Sequence, residues 1–575
     1  MTDTNDQTKS SIEVPPGFWV RETTHYPKPL TPLGASLFMP AFNQTWPKVF
    51  ADFGLLLERL ELREIGGHVY QTAKALGASE SGGGKLPPNP VLWLVFRLHP
   101  TFRRRAAQCK RALRGRLDRE LIERWYDEAR PRFIADIERY RRVDLTSLSD
   151  EELGEHVSDL RQWIMATTET HFYLQPAQAF PLALLAFFLR DRLGYDDGQT
   201  IALVSGLSEA SSDPALELAK LADLIRKDSQ LAEAILAAKP EDVPDLIAQR
   251  GNEITEKFND YLNRYCFRAL RYEVVEECLL ERPGLVANLL QDQIRETASL
   301  QADIERLASV RSEAKASALS ALEDDALKQE FLKLLADAER AYPVREDNEF
   351  FTVSVPLALV RFAVLEAGKR LTAKGAVSAT DDVFFLRIDE VVAALSSADA
   401  RPEELVADRR QAFAAAEASD PPPSYGEEPP APPLEVLPPA TKLAMEVVMY
   451  SLQRVFEPER SSHREERGAS EIRGIAASKG VYTGTARVLL GEEHFDKLRP
   501  GDVLVCPITS PVWSILFAKV GALVTDSGGV LSHPAIIARE YGIPAVVATG
   551  NATQIIEDGR RVVVDGEAGT VRLLD

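Results

Sequence analysis

The sequence predicts a multi-domain protein in which a large, mainly α-helical region is followed by a small mixed α/β domain. Three observations carry this. From about Leu55 to Leu405 apolar residues recur at intervals of three and four, as in IERWYDEARPRFIADIERY and LADLIRKDSQLAEAILAAK, the period of a helix with one buried face. Composition then breaks at Ser419–Ala440, SDPPPSYGEEPPAPPLEVLPPA. Beyond Ile472 the pattern becomes short β-branched runs, TARVLL, DVLVCP, ALVT, AVVAT, RVVVD and TVRLL, bounded by Gly, Pro or Asp, which read as strands.

Taken in order, the chain opens with VPPGFWVRETTHYPKPLTPLG, extended because proline fixes its own φ and biases its predecessor; it is expected to drape over the helices. The helical region runs to residue 418. The prolines and acids of Ser419–Ala440 leave little to bury and predict a semi-rigid spacer. A helix follows at Thr441–Phe456, then a charged second linker at Pro458–Ser470. The expected division is therefore 1–418, a 419–470 linker containing one helix, and 471–575. No repeat of fixed period is present.

Composition bounds the partners. With 45% hydrophobic and 27% charged residues over 575, the chain can bury large cores. A net charge of −20 opposes nucleic-acid or anionic-membrane binding through the bulk field. The longest apolar run, Phe180–Leu189, is about half the ~20 residues that span a bilayer, and MTDTNDQTKSS lacks the order of a signal peptide. Cys109, Cys266, Cys278 and Cys506 are scattered without disulfide or metal spacing. A reducing cytoplasm is expected, with no metal site.

The chemistry concentrates in ALVTDSGGVLSHPAIIAREYGIP. The strand ends at Thr525, Gly528 and Gly529 permit a tight loop, Ser532 stands where an N-cap belongs, and Pro534 fits a first helical turn. His533 thus sits at a helix N-terminus, where backbone donors and the dipole favour an anion and disfavour an imidazolium. Such a histidine is suited to carry a phosphoryl group.

Four ordered segments, GIAASKGVYTGTARVLL, GDVLVCPITSPVW, ALVTDSGGVLSHPAIIAREYGIPAVVAT and DGRRVVVDGEAGTVRLL, resemble the phosphohistidine swivelling domain of the PEP-utilising enzymes. The resemblance implies a small β/β/α domain, a phosphorylated His533, and a phosphate-binding set of Thr525, Gly528, Gly529 and Ser532. Pro534 departs from the Ala or Gly common in relatives. More diffuse segments, Phe18–Leu33, Phe258–Val274 and Val360–Val391, resemble the acceptor-binding domain of rifampicin phosphotransferase and of the phenol-phosphorylating enzymes, phenylphosphate synthase among them; Cys266 stands where relatives carry glycine.

Neither a P-loop nor the alternating pattern of an ATP-grasp domain precedes the histidine, and residues 534–575 fall far short of the roughly 250 of a TIM barrel. The resemblance to split phenol kinases therefore implies a separate ATP-grasp subunit holding ATP and Mg2+, with a small phenolic acceptor on this chain. Two alternatives stay open: an antibiotic or natural-product kinase of the rifampicin phosphotransferase type, and a non-catalytic regulatory protein. Acceptor-side candidates are His25 and Arg21 in the draping segment, His171 among aromatics, and Arg268, Arg271 and Glu273.

Overall fold

The structure is a computed structural model that describes residues 13–80, 85–295, 300–397, 401–456 and 470–574, except 510–512, 514, 515 and 518. The charged linker expected at Pro458–Ser470 lies outside the described residues apart from Ser470, as does the polar start of the chain.

The helical region is built around one 44-residue helix, Asp150–Leu193. Ser149 and Glu152 close a reciprocal capping box at its start, and Gly194 at φ 67° ends it. Two cores pack on its sides. One gathers Trp125, Phe133, Trp163, Val360 and Phe384; the other Phe42, Phe53, Phe180, Phe188 and Phe331. By length and composition this helix and the helical stretch Asp325–Ala373 are apolar enough to cross a membrane, but 67% and 72% of their most apolar windows are buried inside the protein.

Helical periodicity was expected without a break from Leu55, and here the structure differs. Residues LERLELREIGGHVYQTAKA form a hairpin of β2 (Leu57–Ile65) and β3 (His68–Ala75), joined by β1 (Trp19–Arg21) and β4 (Ser424–Tyr425) in the antiparallel order β2-β3-β1-β4. Gly66 and Gly67 take φ 59° and 83° between the paired Ile65 and His68, the backbone of a two-residue hairpin turn that only such residues adopt without strain.

The spacer expected at Ser419–Ala440 is not detached either. Proline carbonyls remain good acceptors: Tyr70 Oη donates to Pro422 O at 2.6 Å and the Arg21 backbone N–H to Pro423 O at 2.9 Å. Ser424 and Tyr425 then pair with β1 as an edge strand, where proline neighbours are tolerated. The helix Pro439–Phe456 packs Ala444, Val447 and Tyr450 into the helical core.

The C-terminal domain has the expected mixed α/β fold. Its strands are β5 (Glu471–Arg473), β6 (Ile475–Ser478), β7 (Val481–Val488), β8 (Val503–Cys506), β9 (Ala522–Thr525), β10 (Ala545–Val547), β11 (Arg561–Asp565) and β12 (Thr570–Leu573). They lie in the order β5-β12-β11-β7-β8-β9-β10-β6. β7 to β10 are parallel, and β8, β9 and β10 are buried throughout, as a sheet covered on both faces requires.

One face of this domain shares a continuous apolar core with the helices of residues 209–295. Trp513, Phe517, Ala538 and Tyr541 from the domain join Leu218, Leu221, Tyr261 and Leu290 from the helices. Within it Lys519 Nζ pairs with Asp292 Oδ2, their side chains 4% and 9% exposed. Removing one member of a buried pair strands the other charge. Asp292→Asn is expected to destabilise the protein by about 3–5 kcal/mol, read as a lower urea midpoint; an unchanged midpoint would show that the pair is not buried in solution.

Candidate functional site

The histidine loop is fixed from three directions. Asp526, at the end of β9, accepts hydrogen bonds from the Thr553 N–H at 3.0 Å and from the Thr553 hydroxyl. Gly528 stands at φ 111°, and a Cβ on Gly529 would lie 2.3 Å from the Arg454 carbonyl. That carbonyl accepts from the Leu531 N–H at 2.8 Å, so the end of the Pro439–Phe456 helix seats the loop. From inside, Arg539 donates to Val530 O and Ala477 O.

His533 opens the helix His533–Glu540, with Ser532 at the N-cap. The Ser532 hydroxyl does not cap it; it donates back to Gly529 O at 2.7 Å. Likewise the Thr525 hydroxyl donates to Ser527 O at 2.7 Å. Both hydroxyls expected around a phosphate are used here to shape the loop, and the helix start is left without a side-chain cap.

His533 faces the helical region. Its Nδ1 lies 3.2 Å from Glu346 Oε2, with the two side chains 11% and 10% exposed. Its Nε2 is buried and has no hydrogen-bond partner among the described residues. Burial alone would raise the Glu346 carboxyl, but His533, Arg345 and Arg268 outweigh it and hold the group below the usual carboxylate range. An ionised Glu346 can only accept, so the contact is made by an Nδ1–H; in a neutral ring carrying that proton, Nε2 holds the lone pair.

Glu346 lies on the short helix Val344–Glu349, which passes through a π-helical turn, Phe350–Ser354, into the helix Val355–Ala373. Such turns break the regular register and re-aim side chains, commonly at functional sites. Ser354 Oγ donates to Glu349 Oε1 at 2.7 Å, while Glu349 Oε2 is buried without a partner among the described residues. Burial raises the Glu349 carboxyl, and Glu346 adds to the effect against the pull of Ser354, Arg268 and His533.

The sequence-derived candidates divide. Arg268 is brought in: it is 5% exposed, lies 4.9 Å over the Phe350 ring and acts on both Glu346 and Glu349. His25 is also brought in. Its Nδ1 is 3.2 Å from Glu22 Oε1 and its ring meets Tyr272 edge-on at 4.9 Å. Burial would lower its pKa, but Glu22 and then Glu349 raise it above the ordinary value. The His25 side chain is 39% accessible.

His171 stands nearby as a neutral, fully engaged ring. Nδ1 is 3.0 Å from Thr352 Oγ1 and Nε2 is 3.0 Å from Gln175 Nε2; burial and the charge of His25 push its pKa down to about 3. Arg21 is directed elsewhere, to Pro27 O and His68 Nδ1 in the small sheet. Arg271 lies 3.7 Å from Glu276. Glu273 packs at the start of the helix Pro32–Phe53, accepting from Thr31 Oγ1 at 2.9 Å and from its neighbour Val274 N–H at 3.1 Å. A Cβ on Gly34 would lie 2.0 Å from Glu273 Oε1, so only glycine admits the carboxyl there.

Glu346 and Glu349 escaped the sequence reading. Their trace is REDNE at residues 345–349, an unbroken polar run set between AYPV and the apolar FFTVSVPLALV. Among the described residues no group of three or more His, Cys, Asp or Glu is placed to hold a metal ion.

Residues 498–569 match the PEP-utilising enzyme mobile domain, and residues 174–346 match the rifampicin phosphotransferase fourth domain. The chain is 26% identical over 561 residues to the uncharacterized phosphotransferase YvkC of Bacillus subtilis (strain 168), covering 97% of this chain and 62% of that protein. It is 28% identical over 394 residues to rifampicin phosphotransferase of Streptomyces sviceus, 67% of this chain and 42% of that protein. Over 101 residues it is 50% identical to phosphoenolpyruvate synthase of Aeropyrum pernix, 17% of this chain and 12% of that protein. The chain thus spans less than two thirds of the length of these relatives.

Burial pushes the Glu273 carboxyl up to about 7 from an ordinary 4.5, against the Thr31 hydrogen bond. A folded-state pKa raised in this way means that the folded protein binds the extra proton, so stability falls as pH climbs from 4.5 through 7. Relative to Glu273→Gln, the wild type is expected to lose on the order of 3 kcal/mol across that window, measured by urea unfolding; parallel curves for the two proteins would refute the shift.

Proposed function

With a PEP-utilising mobile domain as the premise, we propose that this chain is the carrier and acceptor subunit of a phosphotransferase. His533 takes a phosphoryl group originating in ATP and passes it to a small hydroxylated, phenolic acceptor bound at the helical region. The observation that carries this reading is the buried Nε2 of His533, left as a free nucleophile by the hydrogen bond from Nδ1 to Glu346.

The donor in this reading is an ATP-grasp domain on a separate subunit, which holds ATP and Mg2+ and supplies the β-phosphoryl. Nε2 attacks the β-phosphorus through its lone pair as the bond from that phosphorus to the oxygen of AMP breaks; AMP leaves, the γ-phosphoryl is lost to water as phosphate, and Nδ1 keeps its proton. The positive charge that builds on the ring meets the Glu346 carboxylate, which stabilises it as a buried anion can. In the second step the Nε2–P bond breaks and the acceptor oxygen bonds to phosphorus. Arg268, buried and acting electrostatically on both Glu346 and Glu349, supports this reading as the cation that balances phosphoryl charge.

An aromatic acceptor suits the neighbouring rings. His25 meets Tyr272 at 4.9 Å, Tyr26 meets Phe38 at 6.0 Å, and Phe38 meets Phe172 at 5.9 Å. A second reading, a larger natural-product acceptor, is favoured by the match of residues 174–346 to a rifampicin phosphotransferase domain. Competition between phenol, cresols and rifampicin for the phosphoryl group separates the two.

Incubation with an ATP-grasp partner and β-labelled ATP is expected to label the wild type and leave His533→Ala unlabelled; equal labelling of the variant would sink the carrier assignment. Glu346→Gln is expected to keep the fold while slowing transfer to the acceptor by on the order of 10²–10³-fold, the usual weight of one preorganised electrostatic contact, in single-turnover kinetics.

A further inference from the structure

Two buried polar atoms of the site lack partners among the described residues, His533 Nε2 and Glu349 Oε2. Each belongs to a group whose other polar atom is fixed. His533 Nδ1 is held by Glu346 at 3.2 Å, and Glu349 Oε1 by Ser354 at 2.7 Å. They come from opposite sides of the site, the C-terminal domain and the helix bearing the π-helical turn, and lie within electrostatic reach of one another. On the phosphotransferase reading an acceptor hydroxyl needs two such atoms, a ring nitrogen that carries the phosphoryl group and a carboxylate oxygen that takes a proton.

We propose that Glu349 is the general base that takes the hydroxyl proton of the acceptor. The assignment rests on the phosphotransferase reading above. As the acceptor oxygen bonds to phosphorus, the Nε2–P bond breaks, its electron pair returns to the imidazole, and the acceptor O–H proton passes to Glu349 Oε2. No other reactant is needed.

The neighbouring groups are unsuited to this part. Glu346 is committed to His533 and held ionised by its surroundings. His25 is paired through Nδ1 with Glu22 at 3.2 Å. His171 has both nitrogens engaged. Glu273 serves the helix start at Thr31. The burial that raises the Glu349 carboxyl brings it toward the range in which a base works near neutral pH.

The test needs no partner protein. Wild type, Glu349→Gln and Glu349→Asp are phosphorylated on His533 with phosphoramidate, and transfer to phenol and to the far more acidic 4-nitrophenol is timed in single turnovers. Superimposable circular dichroism and urea unfolding of all three show that the variants fold, and the phosphohistidine content at His533, read by peptide mapping, normalises the rates. Glu349→Gln is expected to slow transfer to phenol by on the order of 10²–10⁴-fold, transfer to 4-nitrophenol by much less, and Glu349→Asp to keep part of the phenol rate. Equal losses on both phenols, or no loss, overturn the assignment while leaving the carrier function standing. A wild type that keeps its phosphate against every phenol overturns the phenolic reading and this assignment with it.

Discussion

The hydrogen bond between His533 and Glu346 is the constraint around which the rest is arranged. Its two ends belong to different parts of the chain, one to the small C-terminal sheet domain and the other to the helical region. Neither part alone determines the state of the imidazole. The loop supplies a histidine at a helix start, and the buried carboxylate selects which nitrogen keeps its proton. The contact is therefore a property of the two parts together.

Much of the surrounding structure maintains that arrangement. Gly529 lets the loop approach the Arg454 carbonyl, and Arg539 braces the same loop from within its own domain. The Lys519–Asp292 pair stands inside an apolar contact, where a misplaced dock leaves the buried Lys519 charge without its partner. On the opposite side, the π-helical turn at Phe350–Ser354 lets Ser354 reach Glu349. Hydrophobic contact supplies the area, and the few buried polar groups within it set the register.

The parts legible in the sequence were those with a period or an ordered motif. The strands after Ile472 and the helix beginning at His533 lie where β-branched runs and the Ser-His-Pro start place them. The hairpin at Leu57–Ala75 also had a signal, an alternating pattern around Gly66-Gly67, but it was hidden by the helical periodicity on either side. The acceptor side was harder for a physical reason. Glu346 and His533 are 187 residues apart, and nothing local marks a carboxylate that gains its role from a partner so distant. Arg21 and Glu273 illustrate the converse: charged residues in a suggestive place, yet occupied by a histidine of the small sheet and by the start of a helix.

The apolar core shared between the C-terminal domain and the helices of residues 209–295 makes the association of these parts sensitive to temperature. Burying aliphatic and aromatic surface lowers the heat capacity, and the attraction it provides weakens on cooling. Under the proposed carrier function, in which the histidine is held against Glu346 at one moment and released at another, this contact carries a thermal bias. Warmth within the folded range favours the closed encounter, and cold favours a histidine free to leave.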